Sequence, residues 1–237
     1  MENKNMNNIE TVTKNALEIA GDLYSKMGGL DPMLSVDFDW LKYNQKGGQT
    51  MLGLFLNSEQ MVSDRFKIAG LMGYISALLT RLEISSEPKH VVFVSEAWVS
   101  KNNINPPSDD PKREEVVVAA GADNNHETYV SMVPIQYQYT ETSDGTPRVI
   151  KRLVNDAPSG MDSGVEAQSP LLDNFWKVFH VTLEAIDAGK GGMSYKHFIE
   201  PARVDPDSVV KIIFDAVFKD LYGKTGDLIS QSNEKNA

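Results

Sequence analysis

The sequence predicts an α+β fold: an antiparallel sheet of about six strands packed by two helices, with a helical C-terminal extension. Three observations carry this expectation. Period-two apolar runs gather between residues 34 and 154, separated by turn-forming segments. Two amphipathic helical patterns, over 9–27 and 59–83, sit beside those runs rather than alternating with each strand. Beyond residue 169 the pattern is helical only. Consecutive strands joined by short polar loops favour a meander over alternating βαβ units.

Residues 1–8 are polar, rich in Asn and expected to be disordered. From Ile9, the positions Val12, Ala16, Ile19, Ala20, Leu23 and Met27 recur at three- and four-residue steps, as on one helix face. Gly28-Gly29 ends that helix, because glycine takes the left-handed cap without penalty. The period then changes to two. In "LSVDFDWL", Leu34, Val36, Phe38 and Trp40 alternate with Ser35, Asp37 and Asp39, as in a strand with one buried face. A Lys46-Gly47-Gly48 turn leads to "TMLGLFLN", apolar on both faces, and the two runs read as a hairpin.

The next helix spans 59–83 with Ser58 as N-cap, and Val62, Phe66, Ala69, Met72, Leu79 and Leu82 as its buried stripe. Gly70 and Gly73 would let another backbone approach closely, despite costing about 1 kcal/mol each relative to Ala. After Pro88, the runs "HVVFVSEAWVS", "EEVVVAAG", "TYVSMVPIQYQYT" and "RVIKRLV" read as four further strands, with Asp144-Gly145 turning the chain before the last. Residues 155–169 have a linker's composition, and helices follow over 171–186 and 207–222. The chain is thus expected to divide into a disordered start at 1–8, an α+β core at 9–155, a linker at 156–169, a helical region at 170–224 and a disordered tail at 225–237.

Composition excludes several function classes. With 41% hydrophobic and 24% charged residues in 237, the chain can bury a substantial core. It has no cysteine, hence no disulfide, no thiolate metal site and no thiol nucleophile. A net charge of −10 disfavours nucleic acid, whose binding rests on Lys and Arg neutralising phosphates. It equally disfavours anionic membrane surfaces. No apolar run reaches the length of a membrane span and the first residues lack a signal-peptide core, so the expected location is the cytoplasm, or a host's cytoplasm if the chain is viral.

Most catalytic motifs fail on inspection. Gly223-Lys224-Thr225 would need a glycine at 218 for a phosphate loop, and Phe218 stands there. "IDAGKGGMSYKHF" has the outline of a calcium hand, but Ile186, Ala188, Lys190 and His197 occupy positions that calcium fills with oxygen ligands. His90, His126, His180 and His197 show no close metal-ligand spacing, and G-x-S-x-G does not occur.

One segment stands out. Between "VFVSEAW" and "EEVVVAAG" lies a Pro-rich acidic loop, and if its flanking strands pair, Glu96, Asp110 and Glu115 could converge as the carboxylates of a divalent-metal site. In the simpler alternative, Pro106-Pro107 stiffens the connection and Asp109-Asp110 start a turn. Arg113 then pairs with a neighbouring carboxylate, in the sharpest version Glu96 in a desolvated pair. The segment resembles a motif of uncharacterised proteins from bacterial and phage genomes, in which Glu-Ala-Trp precedes a Pro-rich loop and an Asp-Pro-x-Arg-Glu-Glu segment. The resemblance covers at most residues 30–155, implies no activity, and singles out Glu96, Trp98, Pro107, Asp110, Arg113 and Glu115.

Two functions follow as expectations. The first is a non-enzymatic interaction or accessory protein, with a phage origin among its readings, acting through a protein partner or self-association with no cofactor. The alternative is a metal-dependent phosphoester hydrolase of nuclease-like type, using Glu96, Asp110 and Glu115. A small-ligand sensor is a third reading that sequence does not separate from the first.

Overall fold

Asn8 opens the first helix, α1 (Ile9–Met27): its side chain accepts the Glu10 N–H, satisfying one of the amides that a helix start leaves bare. Gly28, at φ 75°, closes it by returning its N–H to the Tyr24 carbonyl. The buried stripe runs Ile9, Val12, Thr13, Ala16, Leu17, Ala20 and Tyr24. Ile19 and Met27, expected on that stripe, are exposed instead. The i, i+4 ladder through Val12, Ala16, Ala20 and Tyr24 sets the face, and Ile19 projects beside it.

The strands follow as β1 (Met33–Asp39), β2 (Gln49–Phe55), β3 (His90–Val99), β4 (Glu114–Asp123), β5 (Thr128–Glu141) and β6 (Pro147–Leu153), with α2 (Arg65–Arg81) between β2 and β3. The remaining helices are α3 (Pro170–Asp187), α4 (Met193–Val204) and α5 (Pro206–Tyr222). This computed structural model describes residues 8–41, 49–55, 64–100, 110–141, 145, 147–153, 169–190 and 193–222. The expected disordered ends, the Lys46–Gly48 turn, Ser58 and the linker lie outside them, apart from Asn8 and Ser169.

The architecture is mixed α+β with an antiparallel sheet and several helices. Its continuous sheet has four strands, β1, β3, β4 and β5, rather than the expected six or so. The reason lies in β5. Its first half, Thr128–Pro134, pairs with β4, while Ile135–Glu141 pairs with β6, so β6 is added beyond the reach of β4. In strand order β2 adjoins β1 at the other end.

The described residues fall into two compact units, the first drawn from Met1–Asp37, Met51–Arg65 and Lys89–Asp173, the second from Phe38–Thr50, Phe66–Pro88 and Asn174–Ala237. In the first, α1 lies on β3, β4 and β5, and its buried stripe meets Val92, Val94, Val117, Ala119 and Ile135. Opposed residues share a face, so the α1 side of the sheet carries 92, 94, 96 and 98 of β3 against 121, 119, 117 and 115 of β4. The reverse side buries Leu34, Val36, Val91 and Val116. Buried residues on both sides explain why these strands read as near-continuous apolar runs.

The second unit is built on α2 and α3. The sequence placed the 59–83 helix on the sheet; the structure groups α2 with α3 in this unit. Gly73 admits the backbone of Phe175 and Phe179, and Asn174 donates to the Phe66 carbonyl at 2.7 Å. Phe66, expected to be buried, is 44% exposed. From Ile68 to Leu79 α2 is buried around most of its circumference, so no single stripe describes it. Phe175, Trp176 and Phe179 form the aromatic centre of α3. Further on, Asp205 caps α5: it accepts the Ser208 N–H and O–H, and these bonds hold its carboxyl below the usual 3.8.

Candidate functional site

β3 and β4 are direct neighbours, so the segment singled out by sequence does close on itself. Glu96 lies opposite Val117, and Glu115 lies opposite Trp98. By strand alternation Glu96, Trp98 and Glu115 therefore share the α1 face, two residues apart along their strands. Burial fades along that face. Val94 is enclosed under α1, Glu96 is half-buried beside the end of the helix, and Trp98 is 47% exposed one step beyond it. On β5 the same face passes from buried Ile135 to Tyr137, 39% exposed.

Glu96 and Asp110 have structural work. Glu96 Oε1 accepts the Leu30 N–H at 2.8 Å, just after the Gly28 cap, and so fixes the passage from α1 into β1. Asp110, only 3% exposed, accepts the Ser100 O–H at 2.5 Å through Oδ2 and the Lys112 N–H at 2.8 Å through Oδ1. Its carbonyl also accepts the Arg113 N–H at 3.2 Å. Asp110 thereby ties the residue after β3 to the turn before β4, as a side chain that mimics a backbone turn does. Glu115 is half-buried across from Trp98. Pro107 and Asp109 lie outside the described residues.

Arg113 is exposed, so the desolvated Arg113–Glu96 pair weighed from sequence does not describe it. Its guanidinium stands over the Trp98 ring, 4.6 Å from the centroid. That is cation–π range, where the ring's negative face attracts the cation. What gathers at this end of the sheet is an aromatic and a guanidinium in contact, partly open to solvent, with Glu96 and Asp110 each bonded to other parts of the chain. Among the described residues no three His, Asp or Glu side chains form a group able to hold a metal ion. The calcium-hand segment repeats the point: Ala188 to Lys190 bond back onto α3 through backbone amides. Gly223-Lys224-Thr225 lies outside the described residues.

Sequence reasoning missed one pair. His90 Nδ1 lies 2.9 Å from Asp37 Oδ2, and both side chains are buried, at 6% and 3% exposure. The two residues face each other in the β1–β3 register, and Lys89 N–H bonds the Asp37 carbonyl beside them. On the other side of His90 the register places Asp123, whose carboxylate accepts the Asn125 and Glu127 N–H groups of the following turn. Residues 37 and 90 carry no spacing signal that could have joined them. A polar position inside an alternating strand was the one available hint.

The remaining histidines are placed without ligand geometry. His180 stacks on Trp176 at 6.0 Å, while His126 sits in a turn and His197 on an exposed helix face. No helix among the described residues is long and apolar enough to cross a membrane. Comparison with protein-family models, with curated proteins and with solved structures finds no match for this chain, so the resemblance to bacterial and phage proteins rests on its motif residues alone.

Proposed function

We propose that this protein is a non-enzymatic interaction or accessory protein, acting through protein–protein contacts centred on Trp98 and Arg113. One observation carries the reading: a tryptophan nearly half exposed on a sheet face, with an arginine stacked on it. Trp, Tyr and Arg are the residues that dominate binding energy at protein interfaces, because they offer large, stiff contact area with a polar edge. Tyr137 extends the same exposed face. Two of the three carboxylates that a hydrolase would need, Glu96 and Asp110, are instead engaged at Leu30, Ser100 and Lys112, which weighs against the phosphoester reading. Absent cysteine and a net charge of −10 fit work in a reducing cytoplasm, of a host cell if the chain is phage-encoded. The contact is with another protein or with a second copy of the chain.

Site-specific photo-crosslinking tests this. A photoreactive phenylalanine replaces Trp98 in the full chain, expressed in its own cells, with Glu127 in an exposed turn as the control position. A discrete protein adduct at 98, absent at 127, is expected. Equal, diffuse labelling at both positions would overturn the proposal. An adduct of twice the chain's mass would identify self-association, checked by light scattering of the native protein against Trp98→Ala.

A further inference from the structure

We draw no further inference here: the strongest candidate, the buried Asp37–His90 pair on the α1 face of the sheet, is joined by no third metal-ligating group among the described residues, and nothing among them shows a substrate, nucleophile or ligand against its ring.

Discussion

Gly73→Ala should weaken the fold, while Gly70→Ala, one turn earlier on the same helix, should leave it nearly unchanged. Intrinsic propensity alone favours alanine at both sites by about 1 kcal/mol. The surroundings decide the outcome. A Cβ at Gly73 would overlap the Phe175 carbonyl oxygen and come within 3.2 Å of the Phe175 carbonyl carbon and the Phe179 nitrogen. Those are backbone atoms of α3, and only a shift of one whole helix could relieve the clash. Overpacking costs roughly 1–3 kcal/mol, and an overlap with backbone belongs at the upper end, so after the propensity gain of about 1 kcal/mol the net expectation is a loss of about 2 kcal/mol. At Gly70 the nearest atoms are Asn174 Nδ2 at 3.0 Å, itself bonded to the Phe66 carbonyl, and Val178 Cγ2 at 3.3 Å, so side chains rather than backbone must give by a few tenths of an ångström. Crowding and propensity then roughly cancel, leaving a change within about 0.5 kcal/mol. Urea unfolding followed by tryptophan fluorescence reads the difference as a shift in midpoint at constant slope. Trp176 lies on α3 and reports on this packing. A Gly73→Ala protein as stable as the parent, or indistinguishable from Gly70→Ala, would refute the close backbone approach of α2 and α3.

Three further outcomes follow from named contacts. Replacing His90 by Leu, or Asp37 by Leu, should each cost about 1–3 kcal/mol in urea unfolding, because each takes a hydrogen-bond partner from a buried polar side chain. The double variant should lose much less than the sum of the two. Asp205, its carboxyl lowered by the Ser208 bonds, should support the start of α5 fully above its ordinary value of 3.8 and lose that support as pH falls through its lower folded value. Protection of the Ser208 amide, taken relative to its intrinsic exchange rate, should therefore fall as pH drops below 3.8, and Asp205→Ala should remove that dependence. Arg113→Ala should expose more of the Trp98 ring, read as stronger quenching by acrylamide, at a stability cost of only about 0.5–1 kcal/mol.

Local chemistry was legible and long-range chemistry was not. The Ile9–Met27 helix and its Gly28 cap follow from periodicity and from glycine's left-handed conformation, and both lie where the sequence placed them. The strands at 33–39, 90–99, 114–123 and 128–141 were readable for the same reason: a period of two survives wherever one face is buried. Gly70 and Gly73 announced a close approach without naming its partner, since nothing in the sequence ties residue 73 to residue 175. The α1 stripe was misjudged at Ile19 and Met27 because apolar residues also occur off the buried face, and hydropathy alone does not mark which side meets the sheet. The four-strand sheet was overcounted because a single long strand can serve two neighbours in succession, as β5 does.

At the candidate site, adjacency of β3 and β4 was foreseeable from two apolar runs joined by one loop. The jobs of the acids were not. That Glu96 holds Leu30 depends on where α1 ends in space, 66 residues away in sequence. The Asp110–Ser100 bond closes a loop whose ends only the strand pairing brings together. Asp37 and His90 meet across a register between strands that are not consecutive, which no short motif encodes.

Whether Glu96, Asp110 and Glu115 are scaffolding or a cation site is decided by thermal unfolding of the native chain and of Glu96→Gln, each with and without millimolar Mn²⁺. The amide keeps an acceptor oxygen for the Leu30 N–H, so the variant should lose no more than about 1 kcal/mol, and the metal should move neither transition. A rise in the native midpoint with Mn²⁺ that Glu96→Gln abolishes would mean that a metal binds the folded state through these carboxylates. The acids would then be ligands, and the contact function proposed for Trp98 and Arg113 would give way to metal chemistry.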